Sequence, residues 1–248
     1  MLENIKYRKP PIVEVVCEFR FVPSSPWDAA IPGLVYTQLS GEFPMRRMLR
    51  GFESQVSPAE GGVRQQIQLA ERVQFLREDE RAFIQVGPDF LAINHLSPYP
   101  TWEGFRPIIQ RGFNAYVQVA KPTGLRRIGL RYINKIEIPV EPVSLEEFFN
   151  FYPYIRSAKS EITEFVLGVV SPFEEGRDAL RLQLNSAEPG EAGHLTALLD
   201  LDYFVTRLQA VTLDEAMAWI DAAHDRVQAT FEVCLTERLR NMFEPEGE

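Results

Sequence analysis

Charged side chains set two apart in otherwise apolar strands are the residues of this chain that could do chemistry. In residues 126–139, Ile128, Leu130, Tyr132, Ile136 and Ile138 alternate along one face, with Asn134 the polar intruder. Arg127, Gly129, Arg131, Lys135 and Glu137 fall on the other, the period-2 pattern of a strand with one face buried. Glu14, Glu18 and Arg20 are spaced the same way in the first strand, against Val13, Val15, Cys17, Phe19 and Phe21. Asp200 and Asp202 stand two apart further on. If the opening strands of the two halves are neighbours, these groups share one sheet face. Two readings stay open. One is a lattice of cross-strand ion pairs that keeps the face soluble and in register. The other is a groove in which Arg127 and Arg131 hold an anionic or peptide ligand, because a planar guanidinium grips an anion with two parallel bonds. The candidate ligand- or partner-binding residues are Arg127, Arg131, Lys135, Glu14, Glu18, Asp200 and Asp202.

Other chemistry has thinner support. Asp200 and Asp202 point the same way on a strand and could ligate Mg²⁺ or act as an acid–base pair. No third ligand stands at a set spacing. His95, His194 and His224 are scattered, and His224 lies on an apolar helix stripe where a satisfied core histidine is the usual explanation. There is no Gly-x-Ser-x-Gly elbow and no glycine-rich phosphate loop; Glu60-Gly61-Gly62-Val63 reads as a hairpin turn. Cys17 and Cys234 read as buried reduced thiols. No catalytic residue, metal or cofactor is expected. The aromatic and proline segments 27–33 and 99–105 read as helix staples, or else as an exposed aromatic binding edge.

Composition sets the class. The 248 residues are 45% hydrophobic, 11% aromatic and 25% charged, which describes an ordinary globular protein able to bury a sizeable core. A formal net charge of −9 disfavours nucleic acid or an anionic membrane as partner, because both repel such a surface. With no apolar signal region and no long apolar run, a cytoplasmic protein is expected.

The elements that must position the charged groups come in two rounds. Residues 13–21 form a strand, closed by Pro23 and Pro26, and Asp28 is a candidate cap for a short helix through Leu39. Strands follow to Asn94, with Gly87-Pro88-Asp89 a turn. Thr101 is a candidate cap for a helix bearing Phe105, Ile108, Ile109, Phe113 and Tyr116, with Pro107 separating its first turn from the rest. Residues 126–139 then restart the order. Ser144 to Glu147 reads as a capping box, residues 162–170, 180–185 and 194–206 as strands, and Thr212 to Glu215 as a second capping box. That box opens one helix running to about Met242. The same architecture recurs at an offset of about 110 to 115 residues.

Segments 9–21 (KPPIVEVVCEFRF), 85–94 (QVGPDFLAIN) and 126–134 (RRIGLRYIN) resemble a sporadically distributed, uncharacterised prokaryotic protein family. The resemblance covers essentially the whole chain. It implies an accessory role, such as defence or a toxin–antitoxin neighbourhood, and supplies no catalytic residues. The expected fold is α+β, a tandem duplication of β-α-β(3-4)-α. One curved antiparallel sheet would carry two long helices on one face, similar to helix-grip or TATA-binding-protein-like architectures. The chain would be a single domain, 1–248, with repeats at about 8–121 and 124–243. The expected function is a non-enzymatic binding or interaction module for another protein or a small anionic ligand. The alternative is a small-molecule- or nucleotide-binding enzyme with its site in the polar groove.

Overall fold

The computed structural model describes residues 5–59, 62–139, 144–154, 164–188 and 195–246. In chain order these form β1 (Ile12–Val22), α1 (Ile31–Leu39), β2 (Met45–Ala59), β3 (Gly62–Leu76), β4 (Ala82–Gly87), β5 (Phe90–Leu96), α2 (Thr101–Ala120), β6 (Gly124–Ile138), β7 (Val166–Phe173), β8 (Asp178–Ala187), β9 (Leu195–Val205), α3 (Ala216–Cys234) and α4 (Glu237–Met242). Gly61, residues 162 and 163 of the expected strand, His194 and most of the loop at 188–193 lie outside the described residues.

The nine strands make one antiparallel sheet in the order β2-β3-β4-β5-β1-β6-β9-β8-β7. The two opening strands are its centre: β1 pairs β6 with Val16 opposite Arg131 and Glu18 opposite Gly129. They are flanked by the strands that precede the long helices, β5 beside β1 and β9 beside β6. Hydrogen-bonded neighbours share a face, so the alternation in β1 and β6 assigns sides to the whole sheet. Val15, Cys17, Phe19, Ile128, Leu130, Tyr132, Leu199 and Leu201 look to the core and are buried.

The helices cover that apolar side. From α2, Phe113 lies 4.9 Å from the Phe19 ring, and Tyr116 stacks on Phe21 at 4.4 Å. Gly112 lets α2 approach closely: a β-carbon there would stand 3.2 Å from Ile84 and Ile93. α3 packs on β6 and β9. α1 lies against α2. One continuous core joins these contacts.

Several local expectations change. Thr101 is the first residue of α2, and Pro100 takes the cap position. Asp28 accepts from the Ala30 amide at 2.8 Å, ahead of the helix, while Ala30 takes the cap position. Pro107 does not divide α2, which runs unbroken from Thr101. This near the start, proline forfeits only the bond to the Glu103 carbonyl, and Phe105, Ile108 and Ile109 are buried on both sides of it. The last helix does break. Leu235 is extended, and Thr236 caps α4 by accepting from the Leu239 amide. The segment around the 3-10 turn Leu145–Glu147 is stitched into the gap. Asn150 Nδ2 donates to the carbonyls of Val233 and Leu235 at 3.0 and 2.8 Å, and the Thr236 amide donates to Phe148. Of the two capping boxes, only Thr212–Glu215 forms reciprocally: Thr212 N–H donates to Glu215 at 3.0 Å, and Glu215 N–H to the Thr212 hydroxyl at 3.3 Å.

Candidate functional site

The charged side chains gather on the sheet face opposite the helices, as their alternation requires. Strand register decides who meets whom. Arg131 stands directly opposite Asp202 on β9 but reaches diagonally to Asp200, two residues along. Its Nε and Nη2 donate to the two Asp200 oxygens at 2.8 and 2.5 Å, a bidentate pair. That leaves Asp202 to Arg127 at 3.6 Å and to Arg181 on β8 at 3.5 Å. Arg127 also donates to Glu18 at 3.0 Å, and Glu18 accepts from Arg20 at 3.1 Å. Lys135 pairs with Glu137 at 2.6 Å, and Glu14 accepts from Asn94 at 2.7 Å.

Aromatic rings extend the network. Arg20 and Arg72 lie over Phe90, at 4.6 and 3.6 Å from its centroid, and Arg127 and Arg181 over Phe204 at 4.8 and 5.3 Å. The guanidinium planes shield these rings and gain cation–π attraction. Burial pushes the Asp202 carboxyl up, opposed by Arg127, Arg181 and Arg131. The hydrogen bond to Asp200 holds the Arg131 guanidinium above its usual range. All seven residues anticipated for binding are thus on one face, and each is engaged by a neighbour. A ligand here would meet carboxylates and guanidiniums that already hold internal partners.

A second site lies on the helix side. A cavity of about 370 Å³ opens over β6 and β9, between the start of α2 and the middle of α3. Its floor is Tyr132, Asn134 and Leu201. Tyr99, Trp102, His224, Val227 and Phe231 line it from the helix side. Residues 5–12 run across it as a strap. The strap is tied to the C-terminal tail by an antiparallel bridge between Tyr7 and Pro245 and by Arg8 N–H to Glu244 at 3.0 Å. Tyr7 donates from its hydroxyl to Glu232 at 2.9 Å.

The polar groups in this cavity form a chain. The hydroxyls of Tyr99 and Tyr132 lie 3.0 Å apart, and the Tyr132 hydroxyl is 3.0 Å from Nδ1 of His224. Trp102 holds the imidazole flat, stacked at 4.1 Å with an interplanar angle of 4°. Burial drives the imidazole of His224 below its ordinary pKa and the Tyr99 and Tyr132 phenols above theirs. All three groups are therefore neutral near pH 7. Asn134, 1% exposed, donates from Nδ2 to the Leu199 carbonyl at 3.0 Å. Glu232, also buried, is neutralised by Arg240, whose Nε donates to it at 3.0 Å.

In the sequence Asn134 shows only as a break in an alternating pattern, yet a buried amide on an apolar face needs partners and is a signal in its own right. His224 falls on a core stripe, and in the fold it sits at the core's edge. Tyr99 and Trp102 read as a helix staple; they frame the cavity because α2 begins there. No protein-family model matches the chain, and no curated protein does.

Proposed function

We propose that the protein is a non-enzymatic binding module whose ligand is a small molecule seated in the cavity between α2, α3 and the strap. The cavity itself carries this reading. It has the size of small-molecule sites, which run from about 300 to 1,000 Å³, and their composition of apolar walls with few convergent polar groups. The neutral Tyr99–Tyr132–His224 chain supports binding over catalysis, since its groups are tied to one another and shifted away from proton exchange at neutral pH. The test is mass spectrometry of small molecules released on denaturing natively purified protein, beside a Gln228→Trp variant. Gln228 lines the cavity from a half-buried position on α3, so tryptophan there fills space without emptying the core. A compound carried by the wild type and lost from the variant is expected. Equal retention by both, or none by either, would refute the reading.

A second reading keeps the helix-free face as a contact for another protein or a small anion. The observation in its favour is that Arg131 and Lys135 retain 46% and 39% of their side-chain exposure while paired. An enzyme worked by Arg127, Arg131, Asp200 and Asp202 would first need those carboxylates to shed their arginines. We also propose that the halves at about 8–121 and 124–243 are a duplicated unit in one domain, with a helix-grip-like layout. The placement of β5 beside β1 and of β9 beside β6 supports this. A superposition that fails to bring β1, β5, β4 and α2 onto β6, β9, β8 and α3 would sink it. Resemblance of the quoted segments to a sporadic prokaryotic family supports placing the module in an accessory system.

A further inference from the structure

Resting on the cavity reading, we infer that the ligand is a neutral, planar aromatic ring bearing a carboxamide-type edge, one that both donates and accepts a hydrogen bond. Three observations converge. First, the walls present ring faces and edges. Trp102 and His224 are stacked flat, Tyr99 and Tyr132 meet at 5.7 Å edge to face, and Phe231 lines the same cavity. Flat rings pack against such walls with little entropy to lose.

Second, the site demands both a donor and an acceptor. Asn134 lines the cavity with Nδ2 spent on the Leu199 carbonyl, which leaves its Oδ1 as the acceptor of that amide. A ligand N–H is the group that would meet it. The hydroxyl–imidazole chain runs one of two ways. If Tyr132 donates to Nδ1 of His224, the imidazole carries its proton on Nε2 and the Tyr99 oxygen can accept. If Nδ1 donates to Tyr132, Nε2 accepts and the Tyr99 hydroxyl is free to donate. Either way the chain ends in one donor and one acceptor, which an amide can meet in both senses.

Third, the buried charge that lines the cavity is paired: Glu232 is held by Tyr7 and Arg240. The other charged lining residues described, Lys6, Arg8, Glu103 and Glu246, are exposed at its mouth, where Lys6 pairs with Glu103 at 3.1 Å. An ionised ligand would enter without a counter-charge, which a low-dielectric site penalises heavily.

The test is isothermal titration of the full chain with benzamide, benzoate and toluene, which match in ring size and differ in charge and hydrogen bonding. Benzamide is expected to bind at least tenfold more tightly than either of the others. Asn134→Leu should erase most of that preference for benzamide over toluene. Because Asn134 also holds the Leu199 carbonyl, Trp102→Ala serves as the second variant, with melting checked; it should weaken benzamide and toluene alike. Benzoate or toluene binding as well as benzamide would overturn the ligand class and leave the cavity reading intact. No binding of any of the three to wild type, with Gln228→Trp unchanged in small-molecule content, would overturn both.

Discussion

Arg131 and His224 mark the two sides of the sheet, and each supports a distinct expectation. Arg131→Met leaves Asp200, 9% exposed, without its bidentate partner. An orphaned, nearly buried carboxylate should lower stability by about 1–3 kcal/mol, measured by urea denaturation, with the lower end favoured because Arg131 itself is half exposed. The cavity's ligand should be retained. His224 gives a pH signature. Its folded pKa lies below the ordinary imidazole value of 6.5, so between the two the unfolded chain holds a proton that the folded chain does not. Stability is therefore full above that value and falls as pH is lowered through the window. His95, buried and shifted the same way, contributes with the same sign. Melting temperatures of His224→Gln across pH 5 to 8 should show a shallower decline than the wild type; an identical decline would contradict the assignment. Residue types and spacing were enough to put Arg127, Arg131, Asp200 and Asp202 on one face. They could not reveal that Arg131 passes over its direct neighbour Asp202 for Asp200, because diagonal pairing depends on register and side-chain reach.

Element boundaries were legible where a single pattern ruled. The alternation in β1 and β6 and the stripe of α2 are such cases. The joint between α3 and α4 is not. Cys234, Leu235, Leu239 and Met242 continue a helical stripe, so periodicity alone runs straight through. What breaks it is tertiary: Asn150, about 85 residues away, takes the carbonyls that a continuous helix would have used. Thr236, a competent N-cap three residues before Leu239, was the local hint. Asn150→Ala removes both side-chain bonds and should cost about 1–3 kcal/mol, read from the denaturation midpoint. Gly112 is the other element-scale probe. Ile84 and Ile93 leave no room for a large side chain, so Gly112→Leu should destabilise by about 1–3 kcal/mol through overpacking of α2 on the sheet.

At the scale of the molecule, the central seam of β1 and β6 makes the two halves share one core. Fluorescence and far-ultraviolet circular dichroism should then report a single coincident unfolding transition; two separated transitions would show independently stable halves. This plan followed from two amphipathic strands that each needed a neighbour. The cavity did not, because it is a property of the space between elements: the start of α2, the middle of α3 and a strap tied to the far end of the chain. The measurement that bears most directly on the binding account compares capture from a small-molecule extract by three proteins: wild type, Gln228→Trp, and Arg127→Ala with Arg131→Ala. The cavity-filled variant should lose the captured compound while the double arginine variant keeps it. Loss in the arginine variant with retention in Gln228→Trp would move the site to the polar face and contradict the account.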